Sequence, residues 1–264
     1  LEALADGEHL LTVHGQRVGH VNGLMVVELA DHRFGCPLQI SALSQAGEAG
    51  VLNIEREVEL SGPLHDKAVL ILTAYLQRLF APLAPLALQA SLVLEQEHGE
   101  IEGDSAAAAE CVALLSSLAG VPVLQGLALT GALGAEGELL PVGGINEKVE
   151  GFYRACERLG LDGQQGVIVP ARNRQHLMLA PEVVQAVRQQ RFRVLAADTL
   201  GEAMQCMTGL PFGERHGADF TPGSVLDRAR RQLQAFRQAC AQVATPAASS
   251  TRAARALRGR RQAP

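Results

Sequence analysis

Gly99-Glu-Ile-Glu-Gly-Asp-Ser-Ala-Ala-Ala-Ala-Glu-Cys-Val-Ala-Leu-Leu-Ser-Ser-Leu-Ala119 reads as a glycine-bearing loop running straight into an alanine-rich helix. The composition predicts the helix over Ser105–Ala119, with Gly103 serving the turn and Asp104 or Ser105 able to cap it. A serine at a helix start also lies among N–H groups that lack intrahelical acceptors, above the positive end of the helix dipole. Such groups stabilise the oxyanion formed when a serine oxygen attacks a carbonyl. Alanines 106–109 would keep that face slim and leave room for a bound chain. Helix cap and nucleophile are both open on this stretch alone, and capping is much the commoner use of serine.

The lysines weigh on that choice. The chain has 21 arginines and two lysines, Lys67 and Lys148. Arginine supplies positive charge but cannot lose its proton, whereas a desolvated lysine can act as a base. Compositional bias toward arginine would leave the same two lysines. Lys148 ends the stretch Pro141-Val-Gly-Gly-Ile-Asn-Glu-Lys148, 43 residues after Ser105. Asn146 is expected to cap the following helix, which puts Lys148 in the first turn, where the dipole opposes its charge and burial beside Val149 lowers its pKa. An ion pair with Glu147, Glu150 or Asp104 is the competing explanation. Gly143 and Gly144 would allow close backbone approach to strands or substrate. Lys67, in Ser61-Gly-Pro-Leu-His-Asp-Lys67, reads as a structural lysine paired to Asp66 and as the alternative base. A triad drawing on His98, or on His65 and Asp66, is weaker because no G-x-S-x-G elbow occurs. Metal hydrolysis is weaker again, since H-E-x-x-H is absent.

Outward from these stretches, Val21–Leu29 and Pro37–Ser41 read as paired strands, Val51–Leu60 as a half-exposed strand and Leu64–Phe80 as a buried helix. Further strands are expected at Leu86–Glu95, Val123–Ala132, Gly166–Pro170 and Phe192–Ala196, and helices at Asn146–Leu159, Pro181–Gln189 and Thr199–Met207. Strands and helices mix without a regular βαβ repeat, which predicts an α+β domain ending near Phe212. Beyond it, Pro222 is expected at the first position of an amphipathic helix with the stripe Val225, Ala229, Leu233, Phe236, Cys240 and Val243. The organisation is therefore 1–17 flexible or truncated, 18–212 the main domain, 213–245 a helical extension and 246–264 a disordered basic tail. A chain opening on Leu1 is expected to be a fragment or a processed product.

Composition bounds the function. The hydrophobic content of 47% supports a folded core built mainly from aliphatic residues, with aromatics at 3%. No long apolar run or signal-peptide order occurs, so a cytoplasmic protein is the default. Five cysteines form no C-x-x-C pair, and Cys111, Cys156 and Cys206 are expected as buried thiols. The net charge of -5 divides into -12 over residues 1–212 and +7 over 213–264. An acidic body repels nucleic acid, and the basic helix is expected to dock on that body or on a neighbouring subunit.

Glu102-Gly-Asp-Ser-Ala106, Leu129-Thr-Gly131 and Leu140-Pro-Val-Gly-Gly-Ile-Asn-Glu-Lys148, in this order, resemble the proteolytic domain of the Lon family of ATP-dependent proteases. The resemblance covers about Val18–Leu210 and favours the branch with a G-D-S-A signature. The commonest bacterial form has Pro-Lys-Asp-Gly-Pro before the serine, where this chain has Gly99-Glu-Ile-Glu-Gly-Asp104. The resemblance implies Ser105 as nucleophile, Lys148 as general base and Thr130 as orienting residue, with Asp104, Gly103 and Gly144 in support. It also implies a serine endopeptidase for unfolded polypeptides, assembled as a hexameric ring and coupled to an AAA+ ATPase module. That module would bring ATP and Mg; no cofactor is expected in this domain, and no G-x-x-x-x-G-K-[ST] occurs in the chain. The alternative is a noncatalytic assembly or peptide-binding domain that keeps the protease fold.

Overall fold

Leu127 and Leu129 enter one hydrophobic cluster, while Ala128 between them enters another. Ile168 and its neighbours Val167 and Val169 divide in the same way. Such alternation of apolar residues belongs to a sheet buried on both faces. The computed structural model describes residues 11–29, 32–96, 99 and 101–244. In chain order the elements begin β1 (Gln16–Val18), β2 (His20–Leu29), β3 (His32–Gln45), β4 (Gly50–Asn53), α1 (Ile54–Glu57), α2 (Pro63–Leu79), β5 (Gln89–Leu94) and α3 (Ala107–Ala119). They continue as β6 (Pro122–Leu124), β7 (Leu127–Leu129), β8 (Ala132–Leu133), β9 (Leu139–Leu140), α4 (Ile145–Leu159) and β10 (Gly166–Pro170). The last are α5 (Pro181–Arg188), β11 (Arg193–Ala197), α6 (Leu200–Thr208), β12 (Arg215–His216), β13 (Asp219–Phe220) and α7 (Val225–Ala244).

The fold is a mixed α+β architecture, as the sequence predicts. Its centre is a seven-stranded sheet of order β11-β10-β7-β2-β3-β5-β4, with three two-stranded sheets around it. β10 lies parallel to both β11 and β7, β2 is parallel to β7 and antiparallel to β3, and β5 is antiparallel to β3 but parallel to β4. One face carries α2, α3, α6 and α7 in the larger cluster, around the fully buried Leu72, Leu114, Leu115 and Met204. The other face carries α4 and α5, where Phe192 packs against Tyr153 with ring centroids 5.3 Å apart.

Several boundaries differ from expectation. The strand predicted to reach Leu60 stops at Asn53, whose side-chain oxygen accepts from the Arg56 N–H at 2.9 Å and turns the chain into α1. The strand predicted over Val123–Ala132 is divided between three sheets, because β6 pairs with β1, β7 with β10, and β8 with β9. Cys206 is exposed, unlike Cys111 and Cys156. Pro222 does not open α7. Ser224 does so, its Oγ accepting from the Asp227 N–H while Asp227 reaches back to the Gly223 N–H.

Helix α7 packs on α3 of the same chain. Val225, Leu226, Ala229 and Leu233 are buried, Phe236 only partly, and Val243 is 86% exposed, so the predicted stripe stops short of its last member. Among the described residues, the ion pairs of this helix stay within the extension. Arg230 and Arg231 pair with Asp227, and Arg230 also with Asp219, both carboxylates of the extension itself. The anchor is therefore Leu233. Leu233→Ala is expected to cost about 2–5 kcal/mol in a denaturant titration, more than Phe236→Ala at its half-covered position. An inverted order would place the main contact of α7 elsewhere. Of the segment 1–17 expected to be flexible or truncated, residues 1–10 lie outside the described residues, as does 246–264, while Val13 is buried and Gln16 and Arg17 enter β1.

Candidate active site

The carboxyl end of β7 is where the two faces of the sheet meet. After Leu129 the chain passes through Thr130 and Gly131, and the Gly131 N–H donates to the Ser105 carbonyl at 2.9 Å. The Gly131 carbonyl accepts from the Ala108 N–H at 3.1 Å, which fixes the start of α3 beside the strand end. Ser105 itself precedes the helix by one turn residue. The N-cap is Ala106 and makes no side-chain cap bond, so neither Asp104 nor Ser105 serves as the expected cap. The Ser105 hydroxyl points elsewhere.

It points at Lys148. The Lys148 Nζ lies 2.7 Å from Ser105 Oγ and 3.2 Å from Thr130 Oγ1. Thr130 is fully buried and its hydroxyl donates to the Ser105 carbonyl at 3.2 Å. With that proton committed, Thr130 Oγ1 can only accept from Lys148, which leaves the remaining direction of the amine facing Ser105. Lys148 is 2% exposed. Burial drives its pKa down from the ordinary lysine value to about 8; Arg33 adds to the fall, while Asp104 and Glu147 oppose it.

The ion pairs weighed for Lys148 do not form. Glu147 lies 3.6 Å from Arg33, and Glu150 pairs with Arg154 and accepts from the Ala180 N–H. Asn146 is not the cap of α4. Gly144 holds that place with φ +64, where an added Cβ would come within 2.5 Å of Val26. Asn146 instead spans to the neighbouring 3-10 segment, donating to the His176 carbonyl and accepting from the Met178 N–H.

A cavity of about 390 Å³ opens in front of the pair, with an apolar wall from Leu24, Leu38, Leu94 and Ile101. Gly103 and Gly143 border it, and of the four alanines only Ala106 does, because Ala107, Ala108 and Ala109 are buried in the core. Asp104, between Gly103 and Ser105 in the chain, is exposed and is not part of the lining. Lys67 is exposed on α2 and lines no part of this cavity, and among the described residues it forms no ion pair with Asp66, whose carboxylate accepts from Ser61. His65 is bonded to Glu110 and Ser61, so the His65–Asp66 triad does not form. His98 lies outside the described residues. Among the described residues no cluster of metal-ligating side chains occurs, and no helix is long and apolar enough to cross a membrane.

Two features of the site escape the sequence reading. Arg33 lines the cavity beside Lys148. Gly35 on β3 and Gly151 on α4 let strand and helix touch: a Cβ on Gly35 would lie 2.0 Å from the Glu147 carbonyl oxygen, and one on Gly151 would lie 2.1 Å from that of Gly35. A glycine inside a helix costs about 1 kcal/mol relative to alanine, so Gly151 was itself a signal of close packing.

With this geometry in place, residues 98–208 match the family profile described as Lon protease (S16) C-terminal proteolytic domain. A Lon protease homolog of Escherichia coli (strain K12) is 40% identical over 203 residues, covering 76% of this chain and 35% of that protein. One from Haemophilus influenzae is 40% identical over 197 residues, covering 74% and 33%. An archaeal Lon protease of Thermoplasma volcanium is 31% identical over 197 residues, covering 72% and 28%. The chain thus spans about a third of the length of the first two. These similarities are all to members of one class of hydrolase, the proteases. Within it, residues 98–208 match the proteolytic domain of the Lon proteases.

Proposed function

We propose that the chain hydrolyses peptide bonds with Ser105 as nucleophile and Lys148 as general base. The observation that carries this reading is the 2.7 Å approach of a buried amine to a serine oxygen at the mouth of a cavity. In the neutral state of Lys148 the Ser105 hydroxyl donates to Nζ, and Nζ donates to Thr130. As Oγ bonds to the substrate carbonyl carbon, its proton passes to Nζ. The tetrahedral oxyanion is assigned to backbone N–H groups beside Ser105 other than those of Ala107 and Ala108, which the Asp104 and Gly131 carbonyls already hold. The Lys148 ammonium then protonates the leaving amine as the C–N bond breaks. Water attacks the acyl-enzyme, giving a proton to Nζ, which returns it to Ser105 Oγ when the ester bond breaks. Asp104, Gly103 and Gly144 shape the approach and do not touch the transferred proton.

The substrate in this reading is unfolded polypeptide entering as an extended chain. The catalytic unit is residues 18–212, with 213–245 read as an amphipathic extension docked on it. Assembly into a hexameric ring, a cytoplasmic setting and coupling to an AAA+ module that uses ATP and Mg belong to the same proposal. A serine-directed fluorophosphonate should modify Ser105 covalently, read as a mass increase on its tryptic peptide. Failure to label Ser105 under conditions that label a control serine protease would favour a noncatalytic peptide-binding domain.

The pH dependence follows from Lys148. The neutral amine is the working form, so the rate should climb as pH rises through about 8. At pH 7 about a tenth of the molecules then hold a neutral Lys148, against fewer than about one in a thousand at an ordinary lysine pKa. Rates between pH 6 and 9, with chemistry shown to be limiting, check this. A flat profile would remove lysine from the role of base.

A further inference from the structure

His65 on α2 and Glu110 on α3 are both fully buried, with Nε2 2.9 Å from Oε1. The mechanism above uses neither. Ser61 Oγ donates to Asp66 at 2.7 Å, and a serine has one proton to give, so the 2.9 Å contact with His65 Nδ1 needs an N–H on the ring. On its other side the ring bonds through Nε2 to Glu110 Oε1. Burial pulls the His65 pKa down, but the Glu110 bond and the charges of Glu110, Glu55 and Asp66 outweigh it and raise it. Glu110 Oε2 has no partner among the described residues. A buried ion pair with an unsatisfied oxygen contributes little to stability compared with an apolar pair of the same volume. Orientation is the better account of it.

What it orients can be followed through backbone bonds. Ser61 bridges in parallel to Ile101, the Ile101 N–H donating to the Leu60 carbonyl and the Gly62 N–H to the Ile101 carbonyl, both at 2.8 Å. Ile101, Glu102 and Gly103 are one wall of the cavity in front of Ser105. Glu110 stands one and a half turns beyond Ser105 on the helix that follows it, so the ion pair closes a ring through α2, the bridge, the cavity wall and α3.

We propose that His65 and Glu110 are positioning residues that clamp the start of α2 to α3 and so hold the 101–103 wall in register with Ser105 for an extended substrate. The inference rests on the catalytic reading above for its purpose, but its structural content is separately testable. The full 264-residue chain is compared with His65→Gln, Glu110→Gln and the double variant H65Q/E110Q, whose two amides can bond to each other. Hydrogen exchange read by mass spectrometry should accelerate about tenfold in peptides covering 60–64 and 101–106 of each single variant, and recover in the double. Peptides covering 166–170 should keep the wild-type rate. For peptide hydrolysis KM should rise about tenfold, while the acid limb set by Lys148 stays in place and fluorophosphonate labelling of Ser105 changes less than about threefold. Unchanged exchange at 60–64 and 101–106 overturns the clamp. So does uniform acceleration of the whole chain, or loss of folding in all three variants, since the pair would then serve the core alone. A wild-type chain that neither cleaves nor labels overturns the catalytic reading instead, and the exchange data still decide the clamp.

Discussion

Lys148→Arg should leave a chain as inactive in peptide hydrolysis as Ser105→Ala or Lys148→Ala. Removing a positioned acid-base group costs about 10²–10⁴-fold in rate, and removing the nucleophile costs at least as much. Arginine keeps the charge but not the titration, because a guanidinium stays protonated at every pH at which the protein is folded. The three variants should therefore be alike in kcat/KM although they differ in charge and volume. Lys67→Arg, on an exposed helix surface, should retain activity close to wild type. Turnover by Lys148→Arg above a tenth of wild type, measured with a fluorogenic peptide, would end the assignment of Lys148 as base.

Gly151→Ala should fail for a reason that runs against helix propensity. In isolation the change favours a helix by about 1 kcal/mol. Here the added Cβ would sit 2.1 Å from the Gly35 carbonyl oxygen, a backbone atom that cannot rotate away. Relief requires α4 to lift from β3, and overpacking of this kind typically costs 1–3 kcal/mol. We expect net destabilisation of about 2 kcal/mol in urea and, because α4 carries Lys148, about a hundredfold loss of kcat from a shift of about 1 Å in Nζ. Gly35→Ala, with its Cβ 2.0 Å from the Glu147 carbonyl, should behave the same way. A Gly151→Ala chain at least as stable as wild type would mean that the strand and helix are not held in contact.

How much of this was legible depends on whether the determinant was local. The loop and helix around Ser105 could be read because glycine, a serine at a helix start and an alanine run each act within a few residues. Lys148 could be singled out by its scarcity and its place in a first turn, and the resemblance supplied the pairing with Ser105. The cap of α4 was missed because Asn146 is a good capping residue whose side chain is claimed by His176 and Met178, some thirty positions away. Arg33 and Gly35 were unreadable for the same reason: only the return of β3 beneath α4 gives them a role. The apolar neighbours of Cys206 predict burial, but the face on which a helix residue falls is set by what the helix packs against, and Cys206 is exposed.

Ser105 and Lys148 stand at the starts of helices that lie on opposite faces of the sheet, and each helix is seated by a different hydrophobic cluster. The short distance between them is therefore a coincidence condition: it is met only when both layers are assembled on the same sheet. A chain with one layer formed and the other still loose has a serine with no amine to activate it. Under the proposed mechanism such a molecule cleaves no peptide it meets. The activity proposed for this pair is thus made contingent on complete folding by the placement of two side chains.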